Sequence, residues 1–382
     1  MGEWLEKRMD EIADFNPRES LPKGTIAKKI AMDKLQPFCR DVPSFEMEAF
    51  SGGTKFRNGD TIMARITPCL ENGKTAMVDV LDDNEVGFGS TEYIVFRAKE
   101  GNDPDFVYYL VTSPEVREPA IKSMVGSSGR QRVQTDVVQG LKVRVPDLEG
   151  QRAIAGMLKI LDDKIAANRR VNENLQEQAQ AIYQHMIIEN ADDSWTPGVL
   201  SDIAIITMGQ SPKGESYNEE GVGTVFFQGR AEFGFRFPTR RLYTTDPKRM
   251  AQADDALMSV RAPVGDMNVA YEDCCIGRGL GSIRSKDGHQ SFVLYTMLAL
   301  REQLNVFNGE GTVFGSINRD ALNSMPLDIP PKAIMDQFED IVAPMDATIR
   351  NNYDEICRLQ VIRDSLLPRL MSGELDVSDL DL

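Results

Sequence analysis

Gly73, Lys74 and Thr75 are consecutive, and these residue types close a phosphate-binding loop in many nucleotide hydrolases. Such a loop also needs a glycine five residues before the Gly-Lys pair, so that backbone N–H groups can surround the phosphates. The residue at that position is Pro68, which has a fixed φ angle and no N–H to donate. The sequence therefore predicts no nucleotide site here.

A second short string, Phe-Asn-Gly-Glu-Gly at residues 307–311, fits a loop that holds the methionine portion of S-adenosylmethionine in methyltransferases. An adenine methyltransferase also needs an Asn/Asp-Pro-Pro-Tyr/Phe string to bond the flipped base and stack on its ring. The nearest candidate, residues 328–332, reads Asp-Ile-Pro-Pro-Lys and lacks both the polar residue beside the prolines and the aromatic after them. We predict a non-catalytic chain without a cofactor of its own.

Histidine and cysteine offer little for metal or covalent chemistry. The two histidines are His185, in a helical stretch, and His289, in the turn-like string KDGHQ, and we predict that both are solvated. The five cysteines are scattered without zinc-ligand spacing, as is typical of reduced thiols in a cytoplasmic protein. Cys274 and Cys275 are predicted to lie in a buried strand. The sequence predicts no metal site.

The charge distribution leaves a nucleic-acid partner open. A net charge of −16 over 382 residues argues against one at first, because DNA attracts basic proteins. Residues 228–250, however, hold six basic and two acidic side chains. No stretch is long and apolar enough to suggest a membrane span. Composition thus allows local basic faces on an acidic body.

The chain contains an internal repeat. Its two tryptophans, Trp4 and Trp195, lie half a chain apart. The string at residues 58–68 resembles that at 253–263, and 136–146 resembles 320–330, in the same order. Short β-branched and aromatic runs separated by Gly, Pro, Asn and Asp fill most of each half. Similarity on this scale predicts two duplicated, strand-rich domains.

A long helical pattern ends each half. After Asp147, a residue type suited to a helix cap, steps of four and three connect a seam made up of Ile154, Leu158, Leu161, Ile165, Asn168, Asn172, Leu175, Ala179, Ile182 and Met186. The second seam comprises Phe338, Val342, Met345, Ile349, Asn352, Ile356, Leu359, Leu366 and Leu370. Asn168 and Asn352 occupy equivalent positions, where a buried amide can set coiled-coil register. The alternative is that each seam packs only on its own domain.

These patterns predict an α+β fold in which two pseudo-symmetric, mixed, strand-rich domains are separated by a pair of long antiparallel coiled-coil helices. A helix of about 40 residues is roughly 60 Å long, so such a pair sets a distance. The predicted segments are a first domain at 1–146, a central spacer helix at 147–190, a second domain at 191–331, and a C-terminal helix with an acidic tail at 332–382.

Several segments resemble the specificity subunit of type I restriction–modification systems. They are residues 64–78, 87–98, 126–133 and 143–175 in the first half, and 257–265, 317–330 and 351–375 in the second. The resemblance covers essentially the whole chain in the family's order. It implies that each domain is a target-recognition domain that reads one half of a split DNA sequence.

The resemblance also implies the partners. They are double-stranded DNA, two modification subunits that bind S-adenosylmethionine and methylate adenine, and a separate restriction and translocase subunit. The paired helices would fix the gap between the half-targets and dock the modification subunits. No membrane partner is implied, and a cytoplasmic location is expected.

Candidate DNA contacts are basic and amide-bearing residues on loops, since Lys and Arg bind phosphates and polar side chains read base edges. In the first domain they are Lys55, Arg57, Arg65, Asn72, Lys74, Ser90, Thr91, Arg130, Gln131 and Arg132. In the second they are Lys213, Gln228, Arg230, Arg236, Arg240, Arg241, Arg261 and Arg278. For each, a solvated or salt-bridged side chain is the competing interpretation.

The sequence is also compatible with three other functions. The chain could be a bipartite DNA-binding regulator that acts without methyltransferase partners. It could be an orphan methyltransferase, or an interaction scaffold with no role on DNA. Methyl transfer to DNA by the purified chain alone would favour the enzyme, and tight binding without partner subunits would favour the regulator.

Overall fold

The computed structural model describes residues 4–192, 194–309 and 315–379. The strands of the first half are β1 (Leu5–Arg8), β2 (Ala13–Phe15), β3 (Ile26–Ile30), β4 (Glu46–Ala49), β5 (Thr54–Phe56), β6 (Thr61–Ala64), β7 (Thr75–Met77), β8 (Gly87–Gly89), β9 (Tyr93–Ala98) and β10 (Lys142–Val145). Those of the second half are β11 (Thr196–Val199), β12 (Ala204–Met208), β13 (Tyr217–Asn218), β14 (Thr224–Phe227), β15 (Tyr243–Thr244), β16 (Met250–Ala251), β17 (Ala256–Ser259), β18 (Met267–Val269), β19 (Cys274–Ile276), β20 (Leu280–Ser285) and β21 (Pro326–Ile329).

The helices are α1 (Met9–Ile12), α2 (Pro104–Thr112), α3 (Pro114–Lys122), α4 (Thr135–Gly140), α5 (Leu148–Tyr183), α6 (Leu200–Ile203), α7 (Gln290–Ala299), α8 (Arg301–Asn305), α9 (Arg319–Asn323) and α10 (Lys332–Ser372). A π-helical turn, Gln184–Glu189, extends α5. Within the described residues, no helix combines the length and apolar character needed to cross a membrane.

Backbone contacts divide the chain into two compact units. Unit 1 comprises Met1–Arg170 and Asn352–Leu382, and unit 2 comprises Val171–Asn351. Both α5 and α10 cross this division, so each unit includes part of each long helix. Each unit therefore has a strand-rich body together with two helical segments that are distant from each other in sequence.

Unit 1 is built in layers around a central antiparallel sheet with strand order β2-β9-β6-β7. A second sheet, ordered β4-β3-β8-β5, has β3 and β8 parallel. Neighbouring residues of β6 belong to two different hydrophobic cores. Met63 lies in one core together with Phe106 of α2, and Ile62 lies in another together with Phe56 of β5. Because alternate side chains face opposite sides of a strand, β6 is buried throughout its length.

Unit 2 repeats this topology and adds one strand, β13, at the edge of its second sheet. Its central sheet is ordered β12-β20-β17-β18, and its second sheet, β13-β15-β14-β19-β16, has the parallel pair β14 and β19. The antiparallel ribbon of β1 with β10 in unit 1 is matched by β11 with β21. The repeat in the sequence thus corresponds to a repeat of strand order, pairing and direction.

One buried ion pair recurs in both bodies. The Asp60 carboxylate accepts two hydrogen bonds of 2.7 Å from Arg97 and one of 2.8 Å from the Arg57 N–H. The Asp255 carboxylate accepts a 2.7 Å bond from Arg284 and a 2.9 Å bond from the Gln252 N–H. The residues before the two aspartates, Gly59 and Asp254, both have positive φ angles. Each aspartate anchors the turn that leads into the central strand.

The long helices meet within both units in opposite chain directions. Asp147 caps α5 as predicted, because its carboxylate accepts the Gly150 N–H at 2.8 Å. In unit 1, Arg363 bonds Asp162 at 2.7 Å, and Asn168 bonds Glu355 at 2.7 Å. Residue numbers therefore rise along α5 as they fall along α10.

In unit 2 the same antiparallel relation holds. The Asn172 side chain donates to the Ile349 carbonyl at 3.3 Å, and the rings of Tyr183 and Phe338 lie 5.6 Å apart. Every residue of the two predicted seams is buried or half-buried. Asn168 is 5% exposed, and Asn352 is half-buried on α10.

The histidine prediction is confirmed for His185 and wrong for His289. His185 is exposed on the π-helical turn. His289 is only 5% exposed, and its two ring nitrogens lie 2.9 Å from Asp287 and 2.6 Å from Asp336 of α10. The turn-like string around His289 leads into α7, which packs in the interior, and sequence spacing gave no sign of this. Cys274 and Cys275 lie in the buried strand β19, as predicted.

Candidate nucleic-acid interface

Three loops of unit 1 meet at one end of the strands of the central sheet. They are the turn between β6 and β7 (65–74), the turn between β8 and β9 (90–92), and the loop before α4 (125–133). Strand register brings the first two together, since Ala64 at the end of β6 pairs with Tyr93 at the start of β9. We call these loops the unit 1 platform.

Backbone hydrogen bonds join the three loops of the unit 1 platform. The bonds run from Arg65 N to Glu92 O at 2.9 Å, from Val133 N to Arg65 O at 2.8 Å, and from Thr67 N to Gln131 O at 3.0 Å. Because each bond connects two different loops, the platform is held together by the main chain and not only by its side chains.

Unit 2 has an equivalent structure, the unit 2 platform, formed by residues 260–266, 277–279 and 315–317. Its corresponding bonds run from Val260 N to Gly279 O at 2.9 Å, from Ile317 N to Val260 O at 3.0 Å, and from Ala262 N to Gly315 O at 3.0 Å. Ser259 at the end of β17 pairs with Leu280 at the start of β20, as in unit 1. The two platforms share a backbone arrangement but carry different side chains.

The unit 1 platform gathers eight of the ten predicted residues of the first domain, which are Arg65, Asn72, Lys74, Ser90, Thr91, Arg130, Gln131 and Arg132. Arg132 forms a fork on Glu92 at 2.7–3.0 Å. This bond from Arg132 lowers the pKa of Glu92. Arg130 is exposed and has no ion-pair partner among the described residues. Hence Arg130 is the most available cation on this platform.

The unit 2 platform carries Arg261 and Arg278, and the segments of Gln228 and Lys213 adjoin it. Gly279 N donates to Gln228 O at 3.2 Å, and Arg278 N donates to the Ser211 hydroxyl at 3.2 Å. All four predicted side chains are exposed. Arg230, also exposed, pairs with Asp266 on the turn after β17.

In unit 1, three of the lysine and arginine side chains predicted to contact DNA are hydrogen-bonded to other groups of the protein. Lys55 Nζ donates to the Glu19 carbonyl at 2.7 Å, and Arg57 Nε donates to the Glu19 carboxylate at 2.7 Å. Lys74, although it lies in the platform turn, donates to the Met32 carbonyl at 2.8 Å. Each would have to exchange these partners to contact DNA.

Arg236, Arg240 and Arg241 do not form the single free basic face that their spacing suggests. Arg236 is 6% exposed and bonds the Tyr295 hydroxyl at 3.0 Å, so its guanidinium serves packing in this structure. Arg240 and Arg241 are exposed, but they pair with Glu272 at 2.5 Å and Glu232 at 2.7 Å. Basic residues clustered in sequence are therefore largely neutralised, by Glu232 of the same stretch and by acids from elsewhere in the chain.

Sequence reasoning missed the carboxylates that hold these cations. Glu19, Glu92 and Asp266 each bind an arginine that was singled out as a DNA contact. Asp266 also binds Arg301 at 3.2 Å. No sequence signal could have found them, since each partner lies at least 35 residues away along the chain. In the described part of the chain, no group of three or more His, Cys, Asp or Glu is placed to hold a metal ion.

Glu19 is expected to make unit 1 sensitive to acid. Hydrogen bonds from Arg57 and then Arg97 lower its pKa from 4.5 to about 2. A carboxylate with a lowered folded-state pKa stabilises the fold above its unfolded pKa and loses that contribution as it is protonated. Glu19→Gln should therefore be less stable than the wild type at pH 7, and the gap should close between pH 4.5 and about 2.

Urea unfolding at a series of pH values measures this gap. Glu100→Gln, at an exposed glutamate of the same unit, is the control. Its difference in stability from the wild type should not shrink over this pH range. A gap between Glu19→Gln and the wild type that stays constant from pH 7 to pH 2 would contradict the assignment.

The fold and the two platforms define a class: an internally duplicated α+β protein with one loop platform per domain. The chain matches the family described as "Type I restriction modification DNA specificity domain" over residues 1–177 and 192–358. It belongs to that family.

Individual relatives agree with this assignment. The "Putative type I restriction enzyme MjaX specificity subunit" of Methanocaldococcus jannaschii is 29% identical over 295 residues, which cover 72% of this chain and 69% of the relative. The "Type I restriction enzyme HindI specificity subunit" of Haemophilus influenzae is 23% identical, with 98% and 100% covered. A crystal structure of a type I restriction-modification S subunit from M. genitalium has the same fold, with 16% identity, a TM-score of 0.60, and 97% and 96% covered.

Proposed function

We propose that this chain is the sequence-reading subunit of a type I restriction–modification complex and recognises a split DNA target. Each platform reads one half of the target. The chain performs no chemistry, and S-adenosylmethionine is bound by the modification subunits that it recruits. A restriction and translocase subunit completes the complex for cleavage.

The observation that carries the proposal is the repetition of one backbone platform with different side chains. Three inter-loop hydrogen bonds recur at equivalent positions, yet Arg65, Thr91 and Arg132 of unit 1 correspond to Val260, Arg278 and Ser316 of unit 2. Loops that share a scaffold and differ in exposed polar groups are suited to reading two different short sequences. A single-target reader would have no use for two unlike platforms.

The long helices support a spacer role. Their antiparallel contacts within each unit and their buried seams are what a two-stranded coiled coil requires. We propose that this coiled coil sets the gap between the half-targets, with the buried Asn168 and its equivalent Asn352 fixing the register, and that its outer faces dock two modification subunits.

The decisive test is to express the chain with its modification subunit and map methylated adenines across a genome. We expect a split motif with a constant gap. Arg130→Ala should change only one half of the motif and Arg261→Ala only the other, because these cations lie on different platforms. Loss of one base contact typically weakens discrimination by about 1–3 kcal/mol.

Matched controls come from the opposite ends of the same strands. Lys99 and Lys286 directly follow the equivalent strands β9 and β20, and their N–H groups bond Ile12 O and Ile203 O. Lys99→Ala and Lys286→Ala remove the same charge away from the platforms and should leave the motif unchanged. Scattered methylation, or tight specific binding of the isolated chain to one operator, would instead support a DNA-binding regulator.

A separate prediction tests the spacer. Inserting one heptad after Arg170 and one after Asn351 preserves both seams and should lengthen the gap by about three base pairs, since seven helical residues span roughly 10 Å. Both half-sequences should stay the same. A heptad inserted into only one helix breaks the register and is expected to abolish methylation. Altered half-sequences in the double insertion would refute the spacer role.

A further inference from the structure

The turn between β19 and β20 exposes one side chain from a closely fitted backbone. Gly277 N donates to Phe227 O at 2.8 Å, and Gly279 N donates to Gln228 O at 3.2 Å. A Cβ atom at Gly277 would lie 2.9 Å from the Gln228 Cα, and one at Gly279 would lie 2.8 Å from the Gln228 carbonyl oxygen. Only glycine fits at both positions without a shift, so Arg278 is the single side chain that the turn presents.

Arg278 is also one of the few candidate arginines that is not neutralised. Arg57, Arg132, Arg230, Arg236, Arg240 and Arg241 are all paired with carboxylates. Within residues 4–192, 194–309 and 315–379, Arg278 has no ion-pair partner, although its N–H is anchored on the Ser211 hydroxyl. A guanidinium on a fixed backbone and without an ion-pair partner can bind a ligand without first breaking an existing ion pair.

Gln228 lies against this turn and is itself exposed. Its carbonyl receives the Gly279 N–H, so the two side chains belong to adjoining segments of one surface. An arginine guanidinium matches O6 and N7 of guanine, and a glutamine amide matches N6 and N7 of adenine, in each case through two hydrogen bonds in the major groove.

We propose that Arg278 and Gln228 are the specificity-determining residues of unit 2, with Arg278 reading a guanine and Gln228 reading a neighbouring adenine. This rests on the proposed function and adds the base identities. The equivalent turn of unit 1 presents Ser90, Thr91 and Glu92, with Glu92 already bonded to Arg132. The unit 1 half-target is therefore read differently at this position.

The test is a methylome comparison of the full complex carrying single substitutions. Arg278→Ala should relax one G·C position in one half of the motif, lowering discrimination there by roughly 5- to 150-fold, the range given by one bidentate contact. Gln228→Ala should relax a neighbouring A·T position in the same half. The half altered by Arg130→Ala should be the other one.

Arg278→Lys separates base reading from phosphate binding. Lysine keeps the charge and can still donate to guanine but lacks the planar fork, so we expect the G·C position to relax in this variant as well, by less than in Arg278→Ala. If Arg278 only binds a phosphate, Arg278→Lys will behave as the wild type and Arg278→Ala will lower methylation evenly at every site with the motif intact. That result, or a unit 2 half-target without a fixed G·C pair, would overturn the assignment.

Lys286→Ala is the charge-matched control at the other end of β20, and thermal unfolding of each variant complex checks folding. The two proposals fail in different ways. If the wild-type complex yields no split motif, the proposed function itself is refuted. A split motif that neither Arg278 variant changes refutes only the base assignment.

Discussion

Replacing Phe338 with alanine is expected to destabilise unit 2 by about 3–5 kcal/mol, the usual cost of deleting a buried aromatic side chain. Phe338 is fully buried on α10, where its ring lies 5.6 Å from Tyr183, 6.1 Å from Phe292 and 6.0 Å from Tyr295. These partners come from both α5 and α7, so the cavity would open where the helices meet the body of the unit.

The two tryptophans make this measurable one unit at a time. Trp4 belongs to unit 1 and Trp195 to unit 2, so a Trp4→Phe background leaves Trp195 fluorescence as the only tryptophan signal. In that background, urea unfolding should show that Phe338→Ala greatly lowers the free energy of unfolding of unit 2. Ile341→Ala, at a half-exposed residue on the same helix, is the control and should stay within about 0.5 kcal/mol of the parent. Equal effects of the two substitutions would contradict the packing argument.

Removing Arg363 is expected to destabilise unit 1 by a similar amount, about 3–5 kcal/mol, since it leaves a buried carboxylate without its counter-charge. Asp162 is 5% exposed, and Arg363 Nη1 bonds it at 2.7 Å while also bonding the Phe38 carbonyl at 3.1 Å. The Tyr109 hydroxyl supplies the other bond to Asp162, at 2.8 Å. Arg363→Ala would leave only this neutral donor.

A second substitution shows whether the unpaired charge is the cause. Asp162→Asn combined with Arg363→Ala removes both charges and leaves the same cavity, so this double variant should be more stable than Arg363→Ala alone. Arg358→Ala, at an exposed arginine on the same helix, serves as the control. Unfolding is followed by Trp4 in a Trp195→Phe background. A double variant no more stable than Arg363→Ala would indicate that the lost packing of the arginine, and not the buried charge, dominates.

In both units, a tyrosine hydroxyl from the strand-rich body donates to an aspartate on one of the long helices. Asp162 on α5 accepts the Tyr109 hydroxyl, and Asp346 on α10 accepts the Tyr295 hydroxyl at 3.1 Å. The arginine that pairs with the aspartate differs: Arg363 of α10 in unit 1, and Arg236 of a surface segment in unit 2. Arg236 therefore binds Asp346 of the long helix α10, although its place in a basic and aromatic stretch suggested DNA contact.

The amino-acid sequence was sufficient for the features that depend on local periodicity. Steps of three and four predicted both long helices, because an apolar stripe on a helix must be buried. Short β-branched and aromatic runs predicted two strand-rich domains, and β9, β10 and β14 form in such runs at residues 93–98, 142–145 and 224–227. The family resemblance followed from short strings in a fixed order, and the match over residues 1–177 and 192–358 confirms it.

Which charges are free was decided only by the tertiary structure. Glu19, Glu92 and Asp266 reach their arginines across dozens of residues, and the histidine that turn chemistry placed at the surface is buried beside α10. The platforms depend in the same way on strand register, which brings the end of β6 beside the start of β9. Periodicity is a property of neighbours along the chain, whereas charge pairing and loop assembly depend on distances that exist only after the strands and helices have packed.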